Sequence, residues 1–281
     1  MEWLTETKIP IGKWAKWGVD WLTENAAWLF DAIALILEQM IDAVLYILQA
    51  PHPLAVVAVA AGLAYYVKRT LWFPVFVGAG LLLIINQGYW KETTETLSLV
   101  LSATFVCMLI GVPLGVMSAH RPWLYNALRP VLDLMQTVPT FVYLIPALIL
   151  FGLGMVPGLI ATVIFAVPAP IRLTYLGVSS TPTQLIEAGE AFGATKSQLL
   201  WKVELPYALP QIMAGLTQTI MLSLSMVVIA ALVGAPGLGV PTLRALNQVN
   251  IAKGFEVGFA IVLIAIMLDR FFNSNDKTGG R

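Results

Sequence analysis

The sequence predicts an all-α integral membrane protein, with about seven transmembrane helices preceded by an amphipathic helix at the membrane surface. Three observations carry this. Of 281 residues, 58% are hydrophobic and 11% charged, which is more apolar surface than a water-soluble domain can cover. The mean hydropathy is +0.81, and the apolar residues gather into separate runs, most of bilayer-spanning length. The polar segments between those runs are short and carry helix-capping signals.

Residues 13–49 keep one amphipathic period. At 100° per residue, Lys13, Lys16, Asp20, Glu24, Asp31, Glu38 and Asp42 fall within about 40° of a common line. The remaining circumference is mostly Trp, Leu, Ile, Ala and Phe. So narrow a charged stripe suits a helix lying in the interface with its aromatic residues at the headgroups; packing on soluble partners is the other reading. Pro51-His52-Pro53 ends the pattern.

Spans are then expected at 54–67, 71–88, 96–118, 134–152, 156–177, 208–233 and 255–272. The first two are short for a hydrocarbon core of about 30 Å and are separated by a Lys68-Arg69-Thr70 turn. Pro113, Pro139, Pro146, Pro168 and Pro170 fall inside spans, where a disturbed helix must line a cavity or pack on protein. One set of loops carries Lys68, Arg69, Arg121, Arg129, Lys196, Lys202, Arg270, Lys277 and Arg281; the other carries only Lys91, Arg244 and Lys253. Positive charge marks the cytoplasmic side. The expected organisation is an N-terminal segment (1–50) outside, a transmembrane domain (51–272), and a cytoplasmic tail (273–281).

Several chemistries are excluded. Net charge is zero, which gives no electrostatic case for nucleic acid. No G-x-x-x-x-G-K-[ST] loop is present to bind ATP, and no Ser/His/Asp set or carboxylate pair is placed for catalysis, so the chain does not read as an enzyme. No His/Cys/Asp/Glu group has metal-ligand spacing. The single Cys107 sits in an apolar run as small filler, and no cleavable leader is expected. The span interiors hold almost no ionisable groups, because Asp133, Arg172, Asp269 and Arg270 fall near span ends. Ion-coupled transporters usually keep such groups, although sodium sites built from backbone carbonyls escape that test.

Neutral polar residues take their place: Gln136, Thr137 and Thr140 at the fourth span, and Gln218, Ser223 and Ser225 in the sixth. Two roles fit them, hydrogen bonding between helices or wetting a translocation path. Gly and Pro at 234–241 end the sixth span. The segment 242–253 follows as a short external helix, where Arg244, Asn247 and Asn250 are candidates for contact with a partner protein; a plain surface loop is the alternative.

The segment 182–206 reads as a capped helical hairpin. Thr181-Pro182-Thr183-Gln184 has the form of a capping box with Thr181 as N-cap, and Thr195-Lys196-Ser197-Gln198 has the form of a second. Gly193 supplies a left-handed residue between them, and Pro206 should limit the second helix. Leu185, Ala188, Gly189 and Phe192 share one face, with small residues that admit a close partner.

Glu187-Ala188-Gly189, three residues, Gly193, nine residues, then Val203-Glu204-Leu205-Pro206 resembles the EAA signature of ABC importer permeases. Gly189 and Val203 depart mildly from its Ala and Ile. The stretches Met135–Pro146 and Asn247–Phe255 are similar to permeases of glycine betaine/proline betaine importers, a likeness covering roughly 50–272. The resemblance implies a type I ABC importer permease fold in a bacterial inner membrane. It assigns Glu187, Ala188, Gly189, Phe192, Gly193, Val203, Leu205 and Pro206 to ATPase coupling. It implies as partners two ATP-binding subunits, which hold the ATP and magnesium, a second copy of the chain, a periplasmic or lipid-anchored substrate-binding protein, and lipid. No cofactor belongs to this chain, and the aromatic cage for a quaternary ammonium belongs to the binding protein. Trimethylamine oxide, choline, carnitine or dimethylsulfoniopropionate would suit the same machinery. A self-contained channel or secondary transporter is the rival of a different class.

Overall fold

The computed structural model describes residues 10–273, and over that range the chain is helical with short connections. The tail beyond Asn273, with Lys277 and Arg281, and the first nine residues lie outside the described residues.

The single amphipathic helix expected over 13–49 is two helices, α1 (Ile11–Asn25) and α2 (Ala27–Gln49), broken at Ala26. Thr23 Oγ1 and Asn25 Nδ2 donate back to the carbonyls of Val19 and Trp21, both at 2.9 Å, local bonds that compete with helix continuation. α1 leaves Trp14, Trp17 and Trp21 exposed. α2 departs from the expected interfacial position. It packs along α5, α7 and α8 (ranges below), burying Leu37 and Ile41. Ser98 Oγ donates to the Ile41 carbonyl and Gln49 Nε2 to Thr94 Oγ1, both at 2.8 Å. α2 meets α3 (Pro53–Lys68) at a 97° bend, and α4 (Trp72–Asn86) folds back on α3.

Among the described residues, four helical stretches are long and apolar enough to cross a bilayer alone. These are α5 (Trp90–His120), the α8–α9 stretch (Met155–Ser179), the stretch ending in α12 (Lys196–Ala231) and α14 (Ile251–Phe272). The number rises to six if each of two bent pairs makes one span. All seven expected runs are helical, but they divide differently. At about 1.5 Å per residue, α3 and α4 each fall short of a bilayer core. The expected span 134–152 is a 95° corner between α6 (Pro122–Thr137) and α7 (Thr140–Phe151). Pro139 removes a backbone donor and holds Val138 extended (φ −67°, ψ 129°).

The centre of the bundle is α5, α9 (Pro168–Ser179) and α12 (Leu205–Ala231), packed closely at glycines. Pro168 and Pro170 lie in the first turn of α9, where missing donors cost nothing, so α8 (Met155–Ala166) hands over to α9 rather than kinking. A Cβ on Gly115 would lie 2.6 Å from Thr174 Cβ, and one on Gly177 3.0 Å from Ala208 Cβ. At the end of the bundle away from the hairpin, Thr96 Oγ1 donates to the Glu92 carbonyl and accepts the backbone N–H of Leu238, both at 2.8 Å. This pins the glycine-rich turn after α12 to α5. Thr96→Val keeps the shape but leaves the buried Leu238 N–H unpartnered. The expected cost is about 1–3 kcal/mol, read as a lowered thermal midpoint in detergent, with Thr96→Ser close to the parent.

Candidate functional site

The hairpin is formed by α10 (Thr183–Ala191) and α11 (Lys196–Leu199), which runs through a π-helical turn (Leu200–Glu204) into α12. One of its two expected capping boxes is absent. Extended Pro182 (φ −58°, ψ 132°) takes the N-cap position, and Thr181 is left buried with its hydroxyl unbonded. The second box is complete: Thr195 Oγ1 accepts from Gln198 N–H, and Gln198 Oε1 accepts from Thr195 N–H at 2.8 Å. Gly193 is left-handed (φ +78°); Ala194 N–H donates to the Gly189 carbonyl and Gly193 N–H to that of Glu190. This is a Schellman stop, which turns α10 into α11.

Pro206 does not end the second helix. Leu205 N–H reaches back to the Leu200 carbonyl, five residues away, and the helix widens by one residue before continuing as α12. The wide turn accommodates a proline that lacks the donor for a regular turn. The hairpin is therefore continuous with the longest helical stretch of the bundle.

Glu187, Ala188, Glu190 and Gly193 are exposed, and Phe192 is 93% exposed at the tip. Gly189 is half-buried, and the group that approaches it belongs to the same chain: a Cβ there would lie 2.5 Å from Leu199 Cδ2. Val203 and Leu205 are partly buried and Pro206 exposed. The small residue at 189 thus closes the hairpin internally, while Glu187, Ala188 and Phe192 form its open surface. Phe192 is the most exposed of three large apolar side chains that the hairpin bares, with Trp201 at 69% and Leu185 at 46%, and bare aromatic rings are the usual anchors of protein interfaces.

The candidate path residues separate. Gln218 and Ser225 are exposed on one face of α12, seven residues apart, with Gln211 continuing the stripe. Ser223 is fully buried on the other side of α12, its hydroxyl without a hydrogen bond. Gln136 and Thr140 are half-buried and Thr137 exposed at the corner between α6 and α7. Tyr143 spans that corner, its hydroxyl 3.0 Å from the Met135 carbonyl and 3.3 Å from that of Val138. Met135 is the residue whose helical donor Pro139 lacks, so the phenol substitutes for it. Tyr143→Phe should loosen the corner at a cost of about 1 kcal/mol, measured as a lower thermal midpoint with a reduced uptake rate.

Arg244 and Asn247 are exposed on α13 (Gly239–Asn247), which starts three residues before the expected external helix. Asn250 is already engaged: its Oδ1 accepts from Lys253 N–H at 3.1 Å as the N-cap of α14. Sequence reasoning missed two polar ties. Arg172 Nη2 lies 2.6 Å from Asp133 Oδ1, joining α9 to α6, and His120 Nε2 lies 2.9 Å from Glu204 Oε2. Their partners are far apart in sequence, so no spacing rule reveals them. Among the described residues, no group of three His, Cys, Asp or Glu is placed to hold a metal.

Apolar helices of bilayer-spanning length, with a central helix that begins in an exposed hairpin, define an integral membrane bundle. Residues 111–277 match the family described as binding-protein-dependent transport system inner membrane component, and the chain belongs to that family. It is 44% identical over 263 residues to the glycine betaine transport system permease protein OpuAB of Bacillus subtilis (strain 168), covering 94% of this chain and 93% of the relative. It is 43% identical over 272 residues to the glycine betaine/carnitine transport permease protein GbuB of Listeria monocytogenes, covering 96% of each. In the inward-facing MetNI methionine ABC transporter (native crystal form), a chain of 25% identity superposes with a TM-score of 0.57, over 67% of this chain and 92% of that one. The fold is that of an ABC importer permease, an inner-membrane transport component rather than an enzyme. Membership implies an ATPase and a substrate-binding protein as partners.

Proposed function

We propose that this chain forms the membrane pathway for a small quaternary amine or zwitterionic osmolyte of the glycine betaine/proline betaine type. The observation that carries the solute class is identity above 40% to two glycine betaine permeases across more than nine-tenths of the chain. Two copies enclose the path, and two ATP-binding subunits, which carry ATP and magnesium, seat against the two hairpins through Glu187, Ala188, Phe192 and Gly193. Gly189, Val203, Leu205 and Pro206 shape the hairpin that makes that seat. The hairpin and the C-terminus face the cytoplasm, and α1 and α13 face outside, where Arg244 and Asn247 meet the binding protein. The stripe Gln211, Gln218 and Ser225 supports the path on α12: neutral polar groups hydrate a zwitterion without trapping either charge. Ser223 is not part of that stripe.

ATP-driven closure of the ATPase pair draws the hairpins together and opens the path outward, so solute released by the binding protein enters on each cycle. The test is uptake in vesicles holding the reconstituted complex. Transport of radiolabelled glycine betaine should require internal ATP, the ATPase and the binding protein together. Uptake by this chain alone, without ATP, would show a secondary transporter or channel instead. The name of the Listeria relative favours one second solute, carnitine. Competition for the binding protein between the two compounds separates these readings.

A further inference from the structure

Glu204 ends the π-helical turn and is 8% exposed, between the hairpin and the bundle. Its partner is His120, the last residue of the 31-residue α5, with Nε2 at 2.9 Å from Oε2. The contact has ion-pair distance without hydrogen-bond alignment, and Oε2 is buried with no hydrogen bond from elsewhere. The other ring nitrogen, Nδ1, lies 3.0 Å from the Val116 carbonyl. A carbonyl only accepts, so Nδ1 donates there and the ring turns Nε2 toward the carboxylate. The pair is charged when the ring holds both hydrogens.

The hairpin's path of contact gives this pair its meaning. α10 makes its main contacts with α11 and the π-helical turn, so a displacement of α10 enters the bundle through that turn. A π-helical turn interrupts the regular i→i−4 hydrogen-bond ladder, and such turns recur at functional sites. Unless it is held from the side, a push at the tip is spent in unwinding it. His120 holds it from α5, and α5 is locked to α9 at Gly115 as α9 is to α12 at Gly177.

We propose that Glu204 and His120 are positioning residues that form a strut. It fixes the π-helical turn to α5, so that movement of the ATPase-docking hairpin becomes movement of the α5–α9–α12 body. This rests on the hairpin being the ATPase seat. The strut touches neither solute nor nucleotide; it sets how much solute moves for each ATP hydrolysed.

The test uses the complete complex in liposomes. His120→Ala alone strands a buried carboxylate and is expected to destabilise the chain. The double variant His120→Ala/Glu204→Ala strands no charge. It should regain the parent's membrane level and thermal midpoint and still co-purify with the ATPase, while solute moved per ATP falls about tenfold. His120→Arg, which places a fixed cation beside Glu204, should recover much of the ratio. A double variant with the parent's ratio would show the pair to be structural only and overturn the strut. Loss of the ATPase from the double variant would overturn it too, because the pair would then shape the seat rather than transmit from it. If Phe192→Ala leaves ATPase binding untouched, the hairpin tip is not in the seat, and the proposal fails with that reading.

Discussion

Phe192→Ala should strip the ATPase from the purified complex and abolish most uptake, with the permease still folded in the membrane. The ring is 93% exposed, beside the exposed Glu190, Ala191 and Gly193, and it is barer than the hairpin's other exposed large apolar residues, Leu185 and Trp201. Nothing within the chain is lost when it is removed, so stability should change by less than about 0.5 kcal/mol. An interface anchor behaves differently. Truncating a buried aromatic at the centre of a docking site costs about 2 kcal/mol or more, roughly a 30-fold weaker association. Gly189→Ala is the contrasting change. Its new Cβ presses on the end of the Leu199 side chain, with Val203 Cγ2 at 3.9 Å, both inside the hairpin, so docking should survive. Titrating the ATPase subunit against detergent-solubilised permease separates the two: a Phe192→Ala complex as tight as the parent would remove the tip from the interface.

The hairpin was legible because its signals are local. The second capping box and the left-handed Gly193 sit within a few residues of the bonds they make, and both formed. Thr181 failed for a reason equally local but less visible: Pro182 competes for the N-cap position and wins. Pro206 does not end the helix because a proline's missing donor has two remedies, ending the helix or widening the turn before it. The choice is made by the bundle, which continues α12 for 27 residues. The same ambiguity hid the corner at Val138–Pro139, where hydropathy saw one apolar run and the backbone turns by 95°. Ser223 shows the limit of composition. It is as polar as Ser225, but two residues round the helix it faces the interior, and only the packing decides which side is wet. Long-range ties such as Arg172–Asp133 leave no periodic trace at all.

Gly115→Leu should prevent the protein from accumulating, and even Gly115→Ala should lower its thermal midpoint clearly. The reason lies in what surrounds this glycine. Its absent Cβ would lie 2.6 Å from Thr174 Cβ and 2.8 Å from the Ile171 carbonyl oxygen, so α9 would have to retreat as a whole rather than move a side-chain end. Overpacking of this kind costs typically about 1–3 kcal/mol for a small addition and more for a large one. Gly258 in α14 is the control, because nothing lies within 4 Å of where its Cβ would be. Gly258→Ala should be neutral or stabilising by up to about 1 kcal/mol, since glycine in a helix interior carries an entropic penalty. The comparison measures function as well as packing. The α5–α9 contact holds the base on which the hairpin stands, so a tolerated Gly115→Ala chain should show weakened transport with the ATPase still bound. Parent-like transport and thermal midpoint in Gly115→Ala would show that the close α5–α9 approach is not what makes the bundle rigid.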